Sequence, residues 1–327
     1  MKYKIQDKAM LPGAIIIAGI MVAIAVVYTS PARQVQKNTV SAIKKQEVQQ
    51  DTAALALEQA VIPSSGIPLP VVWGITGQNL IRSGVVDAAA FKQLYASRGM
   101  FTDEDQRLLF GTTTEKIIIT RDNAGVLLNL FWALGLGQKS PILENGEMKD
   151  PRYGGAGNFA STGGWTLAQG KAMDHYSYHT FFELSKDQWA LVDKVSQGIF
   201  RPCCGNSVHF PDCNHGMAML GLLELMASQG ASEQDMWKAA LAANSYWFPD
   251  AYMTIATYVK DKGIEWKNAN PQAMLSADYS SAEGYAKISS HVIQAQPRQS
   301  SGGCGVDAGQ SQPVEIPKQQ QQSGCSV

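Results

Sequence analysis

The chain has 327 residues, and its 45% hydrophobic content is enough to bury a core and excludes wholesale disorder. Only 17% of the residues are charged, and 27 basic against 28 acidic residues give a net charge of −1. This balance provides no basic face for a nucleic-acid backbone, so we predict no nucleic-acid partner.

An uncharged apolar segment runs from Met10 to Tyr28 near the N-terminus. As a helix it would span about 28 Å, which is close to the thickness of the hydrocarbon layer of a bilayer. Three lysines precede it within the first eight residues, so the positive-inside rule places the N-terminus in the cytoplasm. Residues 1–30 are therefore predicted to be a membrane anchor. A signal peptide cleaved after 23–25 is the alternative, and both interpretations put the remaining chain outside the cytoplasm.

Residues 31–70 are predicted to form a helical stalk and linker. They are rich in Gln, Lys and Ala with sparse apolar positions, and the heptad pattern is too irregular for a coiled coil. Three prolines between Pro63 and Pro70 then predict the end of the helical segment. We interpret this part of the chain as a spacer.

Residues 71–296 are predicted to fold as one compact, mainly α-helical domain. Potential N-caps recur along it, and the only convincing strand-like run covers 117–120. The residues predicted to begin helices are Asp87, Thr102, Asn123 (or Asp122), Ser185, Ser232 and Asp250.

One helix of this domain is predicted to be central and buried, because the segment from Gly216 to Met226 is apolar nearly all round. Glu224 interrupts this segment, and a buried carboxylate needs a partner. We expect that partner to be Arg201 or the cysteine-rich segment that precedes the helix.

Residues 297–327 are rich in Gln, Ser, Gly and Pro, and this composition predicts a disordered tail. The tail carries Cys304 and Cys325. These thiols could pair with each other, return to the domain, engage a protein or redox partner, or be incidental.

The main chemical signal is a cluster of soft metal ligands. Four of the five histidines and three of the five cysteines fall between residues 175 and 215. The candidate metal ligands are His175, His179, Cys203, Cys204, His209, Cys213 and His215.

Local spacing suggests how these residues are presented. His175 and His179 are four residues apart, so on a helix both imidazoles would share one face. The other five candidates lie in a loop with glycine and proline punctuation, and Asp212 or Asn214 is expected to cap the buried helix that follows. Cys213 would then lie at a helix N-terminus, where the dipole favours the thiolate.

Mixed thiolate and imidazole ligands suit zinc, copper or iron, and thioethers from Met217 or Met219 would favour copper. The spacing resembles neither a paired zinc ribbon nor a covalent haem site. Because neighbouring cysteines rarely face one ion together, we expect one of Cys203 and Cys204 to ligate. The resulting hypothesis is a membrane-anchored, extracytoplasmic metal-binding protein with a redox or metal-handling role.

Two alternatives stay open at this point. A cysteine-dependent envelope enzyme would use Cys213 as nucleophile and His215 or another nearby histidine as base. A structural or interaction domain would instead contain a disulfide from Cys213 to Cys203 or Cys204, as is common in an oxidising compartment.

Overall fold

The computed structural model describes residue 49, residues 51–97 and residues 101–295. The predicted anchor (1–30), most of the predicted stalk and the predicted tail (297–327) lie outside the described residues. Within the described ranges, no helix is both long enough and apolar enough to cross a membrane. The chain divides into two compact units, Met1–Ala56 and Leu57–Val327, and the Cys- and His-rich segment belongs to the second.

The described residues are mainly helical, as predicted. Short 3₁₀ turns connect several elements between residues 147 and 158. The strands are β1 (Ile67–Val72) and β2 (Lys116–Ile119), and the helices are α1 (51–61), α2 (Thr76–Ser83), α3 (Ala88–Ala96), α4 (Asp103–Phe110), α5 (Ala124–Gly137), α6 (Pro141–Asn145), α7 (Ala172–His175), α8 (Lys186–Gln197), α9 (Asn214–Ser228), α10 (Glu233–Trp247), α11 (Pro249–Asp261), α12 (Pro271–Leu275), α13 (Ala277–Ser280) and α14 (Ala282–Ala295).

Strand β2 confirms the strand predicted at 117–120, and it pairs antiparallel with β1. Helix α1 ends at residue 61, just before the proline-rich segment predicted to end the helical stretch, and Pro68 and Pro70 then lie within β1. A two-stranded ribbon tolerates prolines because each strand is an edge with unpaired positions. Leu69 and Val71 alternate into the core, so β1 packs within the second compact unit, Leu57–Val327.

Most of the predicted helix starts are confirmed by side-chain caps. The Asp87 carboxylate accepts from the first turn of α3, and Thr102 forms a capping box with Asp105 at α4. Ser185 forms a capping box with Gln188 at α8, and the Ser232 side chain accepts from Asp235 N–H at the start of α10. Two starts differ from the prediction.

The first difference is at α11, which follows Phe248, so that Asp250 lies in its first turn instead of capping it. The second is at α5, which starts after Asn123 as expected, but the Asn123 side chain does not cap it. Its amide donates to the Ile118 carbonyl and its oxygen accepts from Thr120 N–H. Asn123 therefore joins the end of β2 to the start of α5.

Helices α5 and α9 pack closely and form the centre of the domain. Gly135 and Gly221 face each other at the crossing, and a Cβ at Gly221 would clash with the backbone oxygen of Phe131. Every residue from 216 to 227 is buried, which confirms the predicted central helix. This packing holds the N-terminus of α9 rigidly, and the cysteine-rich loop leads directly into it.

Glu224 lies on this central helix and is fully buried, but its expected partner is absent. Neither carboxylate oxygen has a hydrogen bond within the part of the chain that the structure describes, and Arg201 pairs with Asp212 instead. Burial raises the pKa of Glu224 well above its usual value, with the Ser140 hydroxyl acting in the opposite direction. The carboxyl is therefore held neutral, which avoids the cost of an unpaired buried charge.

Candidate metal centre

The loop between α8 and α9 is closed by a fully buried arginine. The Arg201 guanidinium donates to Asp212 Oδ1 at 2.7 Å and to the Asn206 carbonyl at 3.0 Å. The Asn206 amide donates to the second Asp212 oxygen at 2.8 Å. These bonds tie the two ends of the loop together, so the residues just after Arg201 lie opposite Cys213.

Cys213 itself is the N-cap of α9, which corrects the prediction that Asp212 or Asn214 caps this helix. The Cys213 sulfur accepts a hydrogen bond from the backbone N–H of Gly216 at 3.4 Å. Asp212 is not free to cap because both of its oxygens are engaged within the loop. The Asn214 side chain accepts instead from the N–H of His215.

The three cysteine sulfurs form a nearly equilateral triangle. The sulfur of Cys203 lies 3.7 Å from that of Cys213 and 3.9 Å from that of Cys204, and the third edge is 4.0 Å. Dividing such an edge by √3 puts the centre about 2.2 Å from each sulfur, close to the ~2.3 Å of a zinc–thiolate bond. Both adjacent cysteines place their sulfurs in this triangle, whereas the sequence led us to expect only one of them to ligate.

His215 completes the group on the first turn of α9. One of its ring nitrogens and the sulfurs of Cys203 and Cys213 all lie within 4.8 Å of one another. Its Nδ1 is buried and has no hydrogen-bond partner among the described residues, and the ring packs against Phe248 with centroids 4.3 Å apart. A buried, unpartnered ring nitrogen is costly in an isolated protein and would be satisfied by a bound ion.

Asp212 also lies near the sulfurs of Cys204 and Cys213. Its oxygens already accept from Arg201 and Asn206, so the carboxylate orients the loop and is a poorer ligand than His215. Burial raises the pKa of Asp212, while the Arg201 guanidinium opposes that shift.

The charge of the site is concentrated on Cys213. Hydrogen bonds from the Cys203 and Cys204 thiols hold the pKa of Cys213 well below its usual range, and the Arg201 guanidinium acts in the same direction against burial. Hydrogen bonds to Cys204 and Cys213, together with burial, raise the pKa of Cys203. At Cys204 the bond to Cys203 lowers the pKa, but the bond to Cys213 and burial outweigh it and raise it to about 12.

His175 and His179 contact each other but are not part of this group. Helix α7 ends at His175, and Ser177 has a left-handed backbone with φ of 51°, so the predicted helix through His179 is wrong. The imidazoles nevertheless meet, with His175 Nδ1 3.0 Å from His179 Nε2. The other nitrogen of His175 bonds to the Gln169 carbonyl at 2.8 Å.

His209 also lies apart from the sulfur triangle. Its Nε2 lies 2.9 Å from Asp193 Oδ1 on α8. Among the described residues, neither group close enough to hold an ion includes His175, His179 or His209. Of the seven predicted ligands, the structure brings the sulfurs of Cys203, Cys204 and Cys213 together and places His215 close to Cys203 and Cys213.

The arrangement is suited to holding one ion. The sulfur spacing matches single-ion coordination, the imidazole of His215 lies close to two of the sulfurs, and Arg201 fixes the loop from behind. Comparison of the chain with protein-family models, with curated proteins and with solved structures gives no match. The functional assignment therefore rests on the chemistry of the site.

Proposed function

We propose that this protein binds one transition metal ion through Cys203, Cys204, Cys213 and His215. The triangle of sulfurs with edges of 3.7 to 4.0 Å is the observation that carries the proposal. Three thiols without an ion gain little from converging at this spacing, since each is only a weak hydrogen-bonding group. A single ion at the centre gives all three a strong common partner.

Zinc is the ion that this ligand set favours. Three thiolates and one imidazole form a recurrent tetrahedral zinc site, in which bonds of ~2.3 Å give sulfur–sulfur separations of about 3.8 Å. Copper(I) and iron(II) also accept thiolate and imidazole donors and are the competing occupants. The buried Met217 and Met219 belong to the hydrophobic core, so the case for copper from their thioethers is weak.

The surroundings of the ligands support binding of a cation. Cys213 supplies a thiolate before the ion arrives, and the Arg201 guanidinium offsets negative charge at the loaded site. Arg201 keeps its own charge because the three thiols and Asp212 raise its pKa against the effect of burial. The ligands are only partly exposed, which limits competition from water.

The cellular setting is part of the proposal. The apolar segment 10–28 supports a membrane anchor with the domain outside the cytoplasm, where the protein would handle a metal ion or take part in redox chemistry. The tail thiols at Cys304 and Cys325 offer a contact for a protein or redox partner. Labelling intact cells with a membrane-impermeant maleimide tests this orientation, because tail cysteines outside the cytoplasm would be modified before lysis.

Elemental analysis of the reduced, full-length protein tests the metal site. The protein would be purified in detergent without chelator or histidine tag, and we expect about one equivalent of zinc, copper or iron. Cys213→Ala and His215→Ala should lose the ion, while His209→Ala should retain it because His209 pairs with Asp193. A folded, reduced protein that neither contains nor takes up an ion would refute the proposal.

Cysteine catalysis is the second candidate, because Cys213 carries a stabilised thiolate at a helix start with His215 nearby. It predicts that iodoacetamide modifies Cys213 of the metal-free protein much faster than the other thiols. Equal and slow modification of all the thiols would exclude it. A purely structural disulfide would instead leave the protein indifferent to His215→Ala.

A further inference from the structure

The sulfur triangle is also close to the geometry of a disulfide. The shortest separation, 3.7 Å between Cys203 and Cys213, must fall to about 2.05 Å for a sulfur–sulfur bond to form. Three thiols meet at this site, and two of them are enough to form a disulfide. The same residues can therefore exist in a reduced, ion-binding state and in an oxidised state with one disulfide.

Backbone contacts indicate which pair reacts. The Cys204 backbone is held on both sides, since its N–H donates to the Arg201 carbonyl and its carbonyl accepts from Ala282 N–H. The Cys213 carbonyl accepts from Met217 N–H in the first turn of α9. Among the described residues, no hydrogen bond holds the Cys203 backbone, so Cys203 is the cysteine that can move toward Cys213.

We propose that an oxidant converts the site to a Cys203–Cys213 disulfide and thereby expels the metal ion. This inference rests on the proposed metal-binding function. The two cysteines give up two electrons and two protons in total as the bond forms, and hydrogen peroxide accepts them and leaves as two waters. Only one thiolate and one imidazole then remain, too few donors to hold the ion.

Reduction reverses the change. An external dithiol attacks the disulfide, exchanges with it and is itself oxidised, which restores both thiols. Cys204 keeps its thiol throughout, so the ion-binding state has three cysteine ligands and the oxidised state has only Cys204. The ion is thus bound or released according to the redox state of its surroundings.

Peroxide titration of the full-length, zinc-loaded protein tests this inference. Cys304→Ser and Cys325→Ser would be present in every sample, so that only the three domain thiols are counted. Released zinc is measured with a chromogenic chelator, remaining thiols with a colorimetric reagent, and the bond by peptide mass spectrometry. We expect one ion released per two thiols lost, a 203–213 linkage, and rebinding after reduction by a dithiol.

Two variants sharpen the test. Cys204→Ser should still form the 203–213 linkage, whereas Cys203→Ser should be oxidised at least about tenfold more slowly because Cys204 is held by its backbone. Equal oxidation rates in Cys203→Ser and the parent would overturn the inference. So would a 203–204 linkage, sulfinic acid in place of a disulfide, or zinc that stays bound after the thiols are lost.

The failure of this inference is distinguishable from failure of the proposed function. If the reduced protein binds no ion, the proposed function fails, and with it the release step. If the reduced protein binds an ion that oxidation does not displace, the inference alone fails. Both results come from the same titration, because the metal content is read before the first addition of peroxide.

Discussion

Arg201 and Asp212 join the two ends of the cysteine-rich loop through an ion pair of 2.7 Å in which the arginine side chain is fully buried. Ten residues separate them in the sequence, and the pair determines that Cys203 and Cys204 face Cys213. A Cβ at Gly216 would lie 2.8 Å from the guanidinium, so the first turn of α9 also packs directly on it. The loop, the buried arginine and the helix start therefore form one structural unit.

Removing the buried arginine should destabilise the protein strongly. Arg201→Met leaves Asp212 without its partner, and we expect the free energy of unfolding to fall by about 3–5 kcal/mol. Chemical denaturation followed by circular dichroism measures the change. Lys194→Met is the control, because its ion pair with Glu233 is exposed and should contribute no more than about 1 kcal/mol. Similar losses in the two variants would contradict the structural role of Arg201.

Ion binding should release protons. The pKa of Cys213 is held well below its usual value, whereas that of Cys203 is raised and that of Cys204 is raised to about 12. An ion that takes all three sulfurs must therefore displace about two protons, so its apparent affinity should rise about 100-fold per pH unit near neutrality. Calorimetry in buffers of different ionisation enthalpy counts the protons.

The matched control for proton release is Cys204→Ser. Its hydroxyl does not ligate as a thiolate does, so about one proton should be released instead of two. If binding to the parent protein released no protons, the assignment of both Cys203 and Cys204 as ligands would be wrong.

Glu224 should make the protein less stable as the pH rises. Its folded-state pKa lies well above the usual 4.5, so the unfolded chain loses this proton first. The stabilising contribution of the neutral Glu224 carboxyl to the free energy of unfolding is fully present below pH 4.5. It is lost as the pH rises toward the folded-state pKa, by at most about 1.4 kcal/mol per pH unit. Glu224→Gln removes this dependence.

Urea denaturation of both proteins at pH 5 and pH 8 checks the Glu224 prediction. The free energy of unfolding of the parent protein should fall, relative to Glu224→Gln, between the two pH values. Other titrating groups are common to both proteins and cancel in the difference. Parallel pH profiles would show that the Glu224 carboxyl is ionised in the folded state.

The crossing of α5 and α9 should not tolerate a larger side chain. Gly221→Ala places a methyl group against the backbone of Phe131, and we expect a loss of about 1–3 kcal/mol from overpacking. Gly125→Ala on α5 is the control, because nothing lies within 4 Å of its added Cβ. That variant should gain about 0.5–1 kcal/mol from helix propensity. Thermal unfolding separates the two outcomes.

Local signals in the sequence were sufficient for much of the fold. Side-chain caps such as Asp87 and Ser232 act over three or four residues, so the helix starts follow from neighbouring residues alone. The apolar composition of α9 likewise determines its burial. Strand β1 was missed because its two prolines indicate a break, and only pairing with β2, far along the chain, shows that the segment is extended.

The sequence shows that cysteines and histidines form the candidate site, but it does not show which of the seven candidate residues belong to it. Clustering of histidines and cysteines between residues 175 and 215 pointed to a metal site, but spacing could not select among seven candidates. The Arg201–Asp212 pair had no local signal, since a buried charge is recognised only by the group that faces it. Only the folded loop shows that three sulfurs and His215 meet while His175, His179 and His209 do not, because coordination depends on distances between residues that the chain separates.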